Sequence, residues 1–343
     1  MKSRIVITIG LSICLWSLLS CDGNQKHEAG FFSLDASEND TIYYSQFADS
    51  ISYIKLESSD SCQIAECTDM TIADSLVFIF DKKQKCIWEF NLRGQFVRSL
   101  NKLGPSASEY VDLTQFEYDK ENKQLLILDS PSKSILHYSI EGDFIDKETI
   151  DIYAFDFKIS GQHYLISNLG TKAKFAGVYL IDRSTMASTK IIGKKDDISW
   201  NNNWEMISWD TIVGIVAPPL ENTVFHFSSG ALTDSLPILV PRSSKKYGFT
   251  DSPWDLKDFK RTLYAESSDW LWLVFWKPDS PLQNIVFNKK TITSFSGCDL
   301  CNDIDHIQHG FIQSFSEGNI FTFADYSAEG ENPTIQILHL KNN

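Results

Sequence analysis

The sequence predicts an all-β chain folded as a six-bladed β-propeller, with about four antiparallel strands in each blade. Three observations carry that expectation. The first is an internal repeat: Leu76-Val77-Phe78-Ile79-Phe80-Asp81 is answered 48 residues later by Gln124-Leu125-Leu126-Ile127-Leu128-Asp129. The pairs Ile87/Ile135, Phe90/Tyr138, Gly94/Gly142 and Phe96/Phe144 share the same offset. A period of about 40–50 residues built from short strands is a propeller signature. The second is length, since residues 51–343 hold about six such periods. The third is punctuation: short apolar runs are separated by Asp, Asn, Gly, Ser and Pro clusters, as strands and turns require.

The elements follow in chain order. Lys2 and Arg4 precede an apolar run from Ile5 to Leu19, which ends at Leu18-Leu19-Ser20-Cys21. A basic start, a short apolar stretch and small residues before a cut make an export signal, and the run is too short to span a bilayer. Residues 1–20 are therefore expected to be removed. Cys21 at the cut has the form of a bacterial lipobox, which implies acylation and attachment to a membrane surface. Residues 21–49 are polar and predict a flexible tether, and 50–343 is the propeller. Ile51–Leu56 alternates with period two, as does Thr334–Leu340, and the two are expected to pair and close the ring.

Beyond the two clear repeats, Tyr164–Ser167 with Val178–Asp182, Thr211–Val216 with Thr223–Phe227, Trp270–Trp276 with Asn284–Phe287, and Asn319–Phe323 with the C-terminal strand predict the middle strands of four further blades. One helix is expected at Ser252–Tyr264, where Ser252 caps and Pro253 takes the first helical position.

At this point the chain resembles the six-bladed β-propeller lipoproteins of Bacteroidetes, relatives of propellers with NHL-type repeats. The residues that carry the resemblance are Tyr53–Glu57, Asp74–Asp81, Phe90–Phe96, Lys102–Tyr110, Leu126–Asp129 and Asn302–Asp305. That family has Gly-Pro-Gly-Glu-Tyr after its first blade. Here two extra residues separate Pro105 from Glu109-Tyr110. The resemblance implies a fold and a cell-envelope address, the outer membrane first among them, and lends no activity.

Composition excludes one class. The formal net charge is −14, and removal of Lys2 and Arg4 makes it more negative. Such a surface repels phosphate backbones, so nucleic acid is not a partner. No Gly-x-Ser-x-Gly elbow, His-Glu-x-x-His pair or phosphate-binding glycine loop is present.

Several residue groups are candidates for chemistry. Cys298, Cys301, His306 and His309 supply the ligand types of a zinc site. In an oxidising compartment Cys298 and Cys301 form a disulfide instead, or they merely pack beside a turn. Asn302, Asp303 and Asp305 offer oxygens to calcium, but Asp and Asn build turns more often. Cys62 and Cys67 would staple the loop after the first strand if oxidised. No cofactor is otherwise expected.

Apart from Trp16 and Trp88, every tryptophan falls between Trp200 and Trp276. Trp200 and Trp204, with Asn202 between them, combine aromatic faces and amides as a sugar site does. Trp270, Trp272 and Trp276 alternate on one strand face and read as core. Glu109 and Tyr110 follow an inter-blade connection and are placed at a mouth of the channel. His137 and His163 are weighed for the channel too, with a structural role preferred. The sequence thus points to a membrane-anchored binding or scaffold domain, presenting loops to a glycan, a peptide or an envelope protein. The alternative is an enzyme, a metal-dependent hydrolase or lyase, acting in the axial channel. The irregular second half, which holds the tryptophans and the Cys/His loop, is where function is expected.

Overall fold

The computed structural model describes residues 41–168, 176–193, 205–216, 223–237, 260–276, 282–307, 314–317, 320–325 and 330–342. The chain enters through β1 (Thr41–Tyr43), a single 3-10 turn at Tyr44–Gln46 and β2 (Ala48–Lys55). Five four-stranded sheets of consecutive strands follow, and these are blades. Blade 1 is β3 (Asp69–Ala73), β4 (Leu76–Asp81), β5 (Cys86–Asn91) and β6 (Phe96–Leu100). Blade 2 is β7 (Gln115–Asp119), β8 (Gln124–Asp129), β9 (Ser134–Ser139) and β10 (Phe144–Thr149). Blade 3 is β11 (Asp156–Ser160), β12 (His163–Asn168), β13 (Gly177–Asp182) and β14 (Ser188–Gly193). Blade 4 is β15 (Glu205–Trp209), β16 (Ile212–Val216), β17 (Thr223–Ser228) and β18 (Ala231–Pro237). Blade 5 is β19 (Lys260–Glu266), β20 (Trp270–Trp276), β21 (Gln283–Asn288) and β22 (Thr293–Gly297). After the short β23 (Asp299–Cys301) come β24 (Ser314–Glu317), β25 (Ile320–Asp325) and β26 (Thr334–Leu340). These last three form a further four-stranded sheet with β2 from the other end of the chain. The expected pairing of the two ends is present, with Ile51 opposite Leu338 and Tyr53 opposite Gln336.

The first strands β3, β7, β11, β15, β19 and β24 touch in succession, and β24 returns to β3. They surround the axis. The apolar cores lie between sheets rather than inside them. Phe78, Phe80 and Ile87 of blade 1 pack on Phe116, Tyr118 and Ile127 of blade 2, with Phe78 stacked on Tyr118 at 5.1 Å. Trp270 and Trp272 of blade 5 pack on Leu338 and Leu340. Ile335 and Ile337 of the composite sheet pack on Val77, Ile79 and Phe90. A strand covered on both faces is apolar without alternation, which explains the continuous run of β4.

The repeated aspartates act as latches. Asp81 is fully buried and accepts from Ala65 N (2.7 Å), Gln84 N (2.9 Å) and Gln84 Nε2 (2.9 Å). It thereby ties the connection ahead of blade 1 to the β4–β5 turn. Asp129 does the same one blade on, accepting from Val111 N (2.9 Å) and Ser132 N (3.4 Å).

Four expectations are corrected. Five blades of consecutive strands are present where six were expected. The helix over Ser252–Tyr264 gives way at Lys260, since Lys260–Glu266 is strand β19 and pairs with Trp270–Trp276. Tertiary pairing there overrides a local capping signal, and 252–259 lie outside the described residues. Residues 41–49, assigned to the tether, belong to the domain: β1 pairs parallel with β23, and Ile42, Tyr44, Phe47 and Ala48 are buried. Their apolar side chains have a place, for Phe47 meets the Trp272 ring edge-on at 5.5 Å. No disulfide joins the five described cysteines. Cys62 and Cys67 instead pack as small apolar groups between the composite sheet and blade 1.

Two predictions follow from the repeat. Asp81→Ala and Asp129→Ala each strand several buried amide donors, and each is expected to cost about 2–4 kcal/mol in urea unfolding. Gly94 and Gly142 both have positive φ (+77° and +89°), but a Cβ on Gly94 would stand 1.9 Å from Lys55 O, whereas on Gly142 the nearest atom is 3.5 Å away. Gly142→Ala should cost about 1–2 kcal/mol and Gly94→Ala clearly more in the same measurement.

Candidate functional site

The strand registers set up two unlike ends. Each first strand begins opposite the end of the second, as with Asp69 and Phe80, Gln115 and Leu128, or Asp156 and Ser167. Connections between blades therefore emerge at the same end as the turns between second and third strands. We refer to this as the loop end. The other end carries short turns such as Asp74-Ser75 and Gly161-Gln162.

At the loop end the first strands of blades 1, 2 and 3 open on Asp69, Gln115 and Asp156, with Glu117 and Lys158 two residues further along β7 and β11. These side chains meet at the axis. Lys158 Nζ donates to Glu117 Oε1, and both side chains are nearly buried. The Lys158 ammonium also faces Asp69 and Asp156. Asp69 and Lys158 belong to blades that are not neighbours, so their interaction crosses the axis. Asp69 is fixed by Met70 N at 2.7 Å and by the Gln115 side chain. Asp156 Oδ1 is buried without a hydrogen-bond partner.

Three carboxylates share one cation, and their acidities show it. Burial pushes Glu117 up to about 7 against the opposing pull of Lys158. Burial likewise pushes Asp156 up to about 7, with Asp69 and Glu117 adding to the rise. Asp69 is raised by burial as well. Burial alone would lower Lys158, but Glu117, Asp69 and Asp156 overcome it and hold the ammonium above its usual range. The set can hold a proton near neutrality and can bind a second cationic group.

The rim of the loop end is apolar. From Ile150 to Phe155 the chain alternates: Ile150, Ile152 and Ala154 enter the core between blades 2 and 3. Asp151, Tyr153 and Phe155 face out, with Tyr153 58% and Phe155 44% exposed. Lys133 Nζ lies 4.6 Å from the centre of the Tyr153 ring. Leu103 and Val111, in the connection from blade 1 to blade 2, are also exposed.

The residues singled out from sequence fall elsewhere. Tyr110 is fully buried. Its hydroxyl donates to Lys85 O (2.8 Å) and accepts from Lys102 N (3.0 Å), so it pins the blade 1–2 connection. Glu109 is spent on Ser106 N (2.9 Å). Asn302 accepts from Ile304 N and donates to Asp305 Oδ1 (2.6 Å), Asp303 takes both Ser45 N (2.9 Å) and Ser45 Oγ (2.5 Å), and Asp305 accepts from Tyr53 (2.6 Å). The oxygens considered for calcium thus hold a turn and the N-terminal strap. Cys298, Cys301 and His306 do not converge with other ligating side chains among the described residues. Trp200, Asn202, Trp204, His309 and Cys21 lie outside the described residues. His137 is bound to Gln124 (3.1 Å) and faces Glu148 (3.2 Å), away from the axis. His163 packs against Gly230 of the next blade.

A second buried polar set, also missed from sequence, joins blades 4 and 5. Glu266 is fully buried and takes His226 Nε2 (2.8 Å), Lys289 Nζ (2.8 Å) and the Tyr264 hydroxyl. Glu266 and Asp234 overcome the effect of burial and raise His226 above its ordinary value. With Glu266 fully buried and bound by three donors, this set serves the interface between blades.

Fold and site together define an all-β propeller with an acidic axial mouth and an apolar rim. The chain belongs to the DUF4934 family, a domain of unknown function, whose profile matches residues 31–334. The fold is shared with a Bacteroides fragilis protein described as a "Putative exported protein" (TM-score 0.71, 14% identity, 91% of this chain and 99% of that one). It is shared more loosely with a DUF4221 family member from Bacteroides vulgatus (TM-score 0.53, 8% identity, 86% and 97% covered). No curated protein matches.

The charge imbalance at the axis makes a prediction. The unfolded values of Asp156 and Glu117 are near 3.8 and 4.5 and the folded values about 7. Their contribution to stability is therefore present at low pH and is lost as pH rises through about 7. Lys158→Met removes the cation bonded to Glu117. It should destabilise by about 3–5 kcal/mol at pH 8 and distinctly less at pH 5, read from thermal midpoints at both pH values.

Proposed function

We propose that this protein is an exported lipoprotein whose propeller binds a peptide or protein partner of the cell envelope through the loop end. The single observation that carries the reading is the contrast between the two ends. The loop end combines exposed Tyr153, Phe155, Val111 and Leu103 with a charged axial floor, whereas the other end, which also exposes Leu92 and Ile292, carries short turns. Rigid blades holding side chains from several connections around one axis suit recognition. Export and anchoring are supported by the basic start, the short apolar run and Cys21, and by the exported neighbour in Bacteroides fragilis. In this reading the composite sheet of β2 and β24–β26 acts as a sixth blade, and its β2–β26 pairing keeps the ring closed.

The runner-up is chemistry at the axis. Its support is that Glu117 and Asp156 hold protons near neutrality, as acid–base groups do. Binding is preferred because Glu117, one of these two groups, is already held by Lys158.

Two measurements test the reading. Cys21→Ser should shift the protein from the membrane to the soluble fraction of cells. A photo-crosslinking amino acid at Tyr153 should trap a discrete partner in the native envelope, while the same probe at Leu92, on a turn of the opposite end, should not. Equal labelling from both positions, or none from Tyr153, defeats the proposal.

A further inference from the structure

We infer that the ligand of the loop end is an extended peptide carrying a lysine or arginine side chain beside apolar ones. Its cationic group seats among Asp69, Glu117 and Asp156, and its apolar neighbours lie on Tyr153 and Phe155. The inference rests on the binding function proposed above and goes beyond it by naming the ligand chemistry.

Two independent features of the structure lead to it. The first is charge. Among the described residues Asp69, Glu117 and Asp156 gather around the Lys158 ammonium, which is hydrogen-bonded to Glu117. Asp156 Oδ1 is left as a buried acceptor without a donor. A buried acceptor of this kind is costly, and a ligand N–H that reaches it recovers the loss. The missing component is therefore a cationic donor. Anionic lipid headgroups and phosphates carry the wrong sign, and a neutral sugar would leave the charge uncompensated.

The second feature is the rim. Tyr153 and Phe155 are two residues apart on a connecting segment whose alternate side chains, Ile152 and Ala154, are locked in the core. Rigid aromatic anchors lose little entropy on binding. Phe155 directly precedes Asp156, so the apolar surface ends where the acidic floor begins. A ligand matching both must carry apolar and cationic groups on neighbouring positions, as the side chains of an extended peptide do. The Tyr153 ring already accepts a cation of the chain itself, Lys133, so the same attraction is available to the ligand.

The experiment uses the mature chain and three peptides, acetyl-Phe-Lys-Leu-amide and its analogues with norleucine or glutamate in place of lysine, measured by calorimetric titration. The lysine peptide should bind about tenfold more tightly than the norleucine peptide, the equivalent of one modest charge pair, and the glutamate peptide should not bind. Tyr153→Ser and Phe155→Ser should weaken the lysine and norleucine peptides alike. Asp156→Asn should weaken only the lysine peptide and bring the two affinities together. Asp69→Asn is the second reading of the same effect should Asp156→Asn fold poorly. Equal binding of all three peptides, an unchanged lysine preference in both Asn variants, or no binding at millimolar peptide overturns the inference. If crosslinking from Tyr153 succeeds while these peptides fail, the ligand class is wrong and the binding end is right. If crosslinking from Tyr153 fails, the binding reading itself falls.

Discussion

The structure depends on one constraint: each sheet is apolar on both faces, so none can be stable without a neighbour on either side. Leu126 and Leu128 of β8 point to blade 3, while Leu125 and Ile127 point to blade 1. A row of such sheets always leaves an uncovered face at each end, unless it curves until the ends meet. The composite sheet is the physical answer, since Ile335 and Ile337 cover blade 1 and Leu338 and Leu340 cover blade 5. Because β2 and β26 come from opposite ends of the chain, separating those ends requires breaking a full strand pairing as well as two apolar contacts. The N-terminal segment Ile42–Phe47 adds to this by packing on the tryptophans of blade 5.

That constraint explains which features were legible in the sequence. Strand content follows from local apolar runs, and the ring follows from their period, so both can be read residue by residue. The 48-residue offset marked Asp81 and Asp129 as equivalent, and the structure gives them equivalent latches. The same rule explains the misreadings. Ser252-Pro253 is a sound local signal for a helix, but Lys260–Glu266 is held as a strand by Trp270–Trp276, which lies further along the chain. Ile42, Tyr44 and Phe47 sit in polar surroundings in the sequence, and only the blade 5 tryptophans give them a place to be buried.

The axial site was illegible for a sharper reason. Asp69 and Lys158 are on blades that do not touch except across the axis, and nothing local distinguishes either residue from a turn-flanking charge. A usable signal existed: each of the first strands β3, β7, β11 and β15 opens on an acid or amide, Asp69, Gln115, Asp156 and Glu205. Aligning strand starts, rather than the apolar cores of the repeats, would have placed these four residues at one level around one axis. Tyr110 shows the converse. Its neighbourhood to Glu109 and its position after a blade suggested a mouth residue, yet its ring is fully covered and its hydroxyl binds backbone on two sides. A tyrosine that follows a connection can bind that connection down instead of facing a ligand.

The composition of the axis bears on why it is kept. Buried ion pairs contribute little net stability, because removing both charges from water offsets their attraction. An axis serving only the fold would therefore be filled with apolar side chains, as the spaces between the blades are. Here three carboxylates converge on one ammonium, and one carboxylate oxygen has no donor. That arrangement costs stability in proportion to the unmatched charge, and the cost falls on the regular part of the chain, where β4, β5, β8 and β9 are almost completely buried. A stable frame can carry a local penalty without unfolding. The cost is thus concentrated beside deeply buried strands and where the solvent-facing aromatic pair begins, an arrangement that fits the proposed recognition role: unfavourable alone, and relieved by the partner it selects.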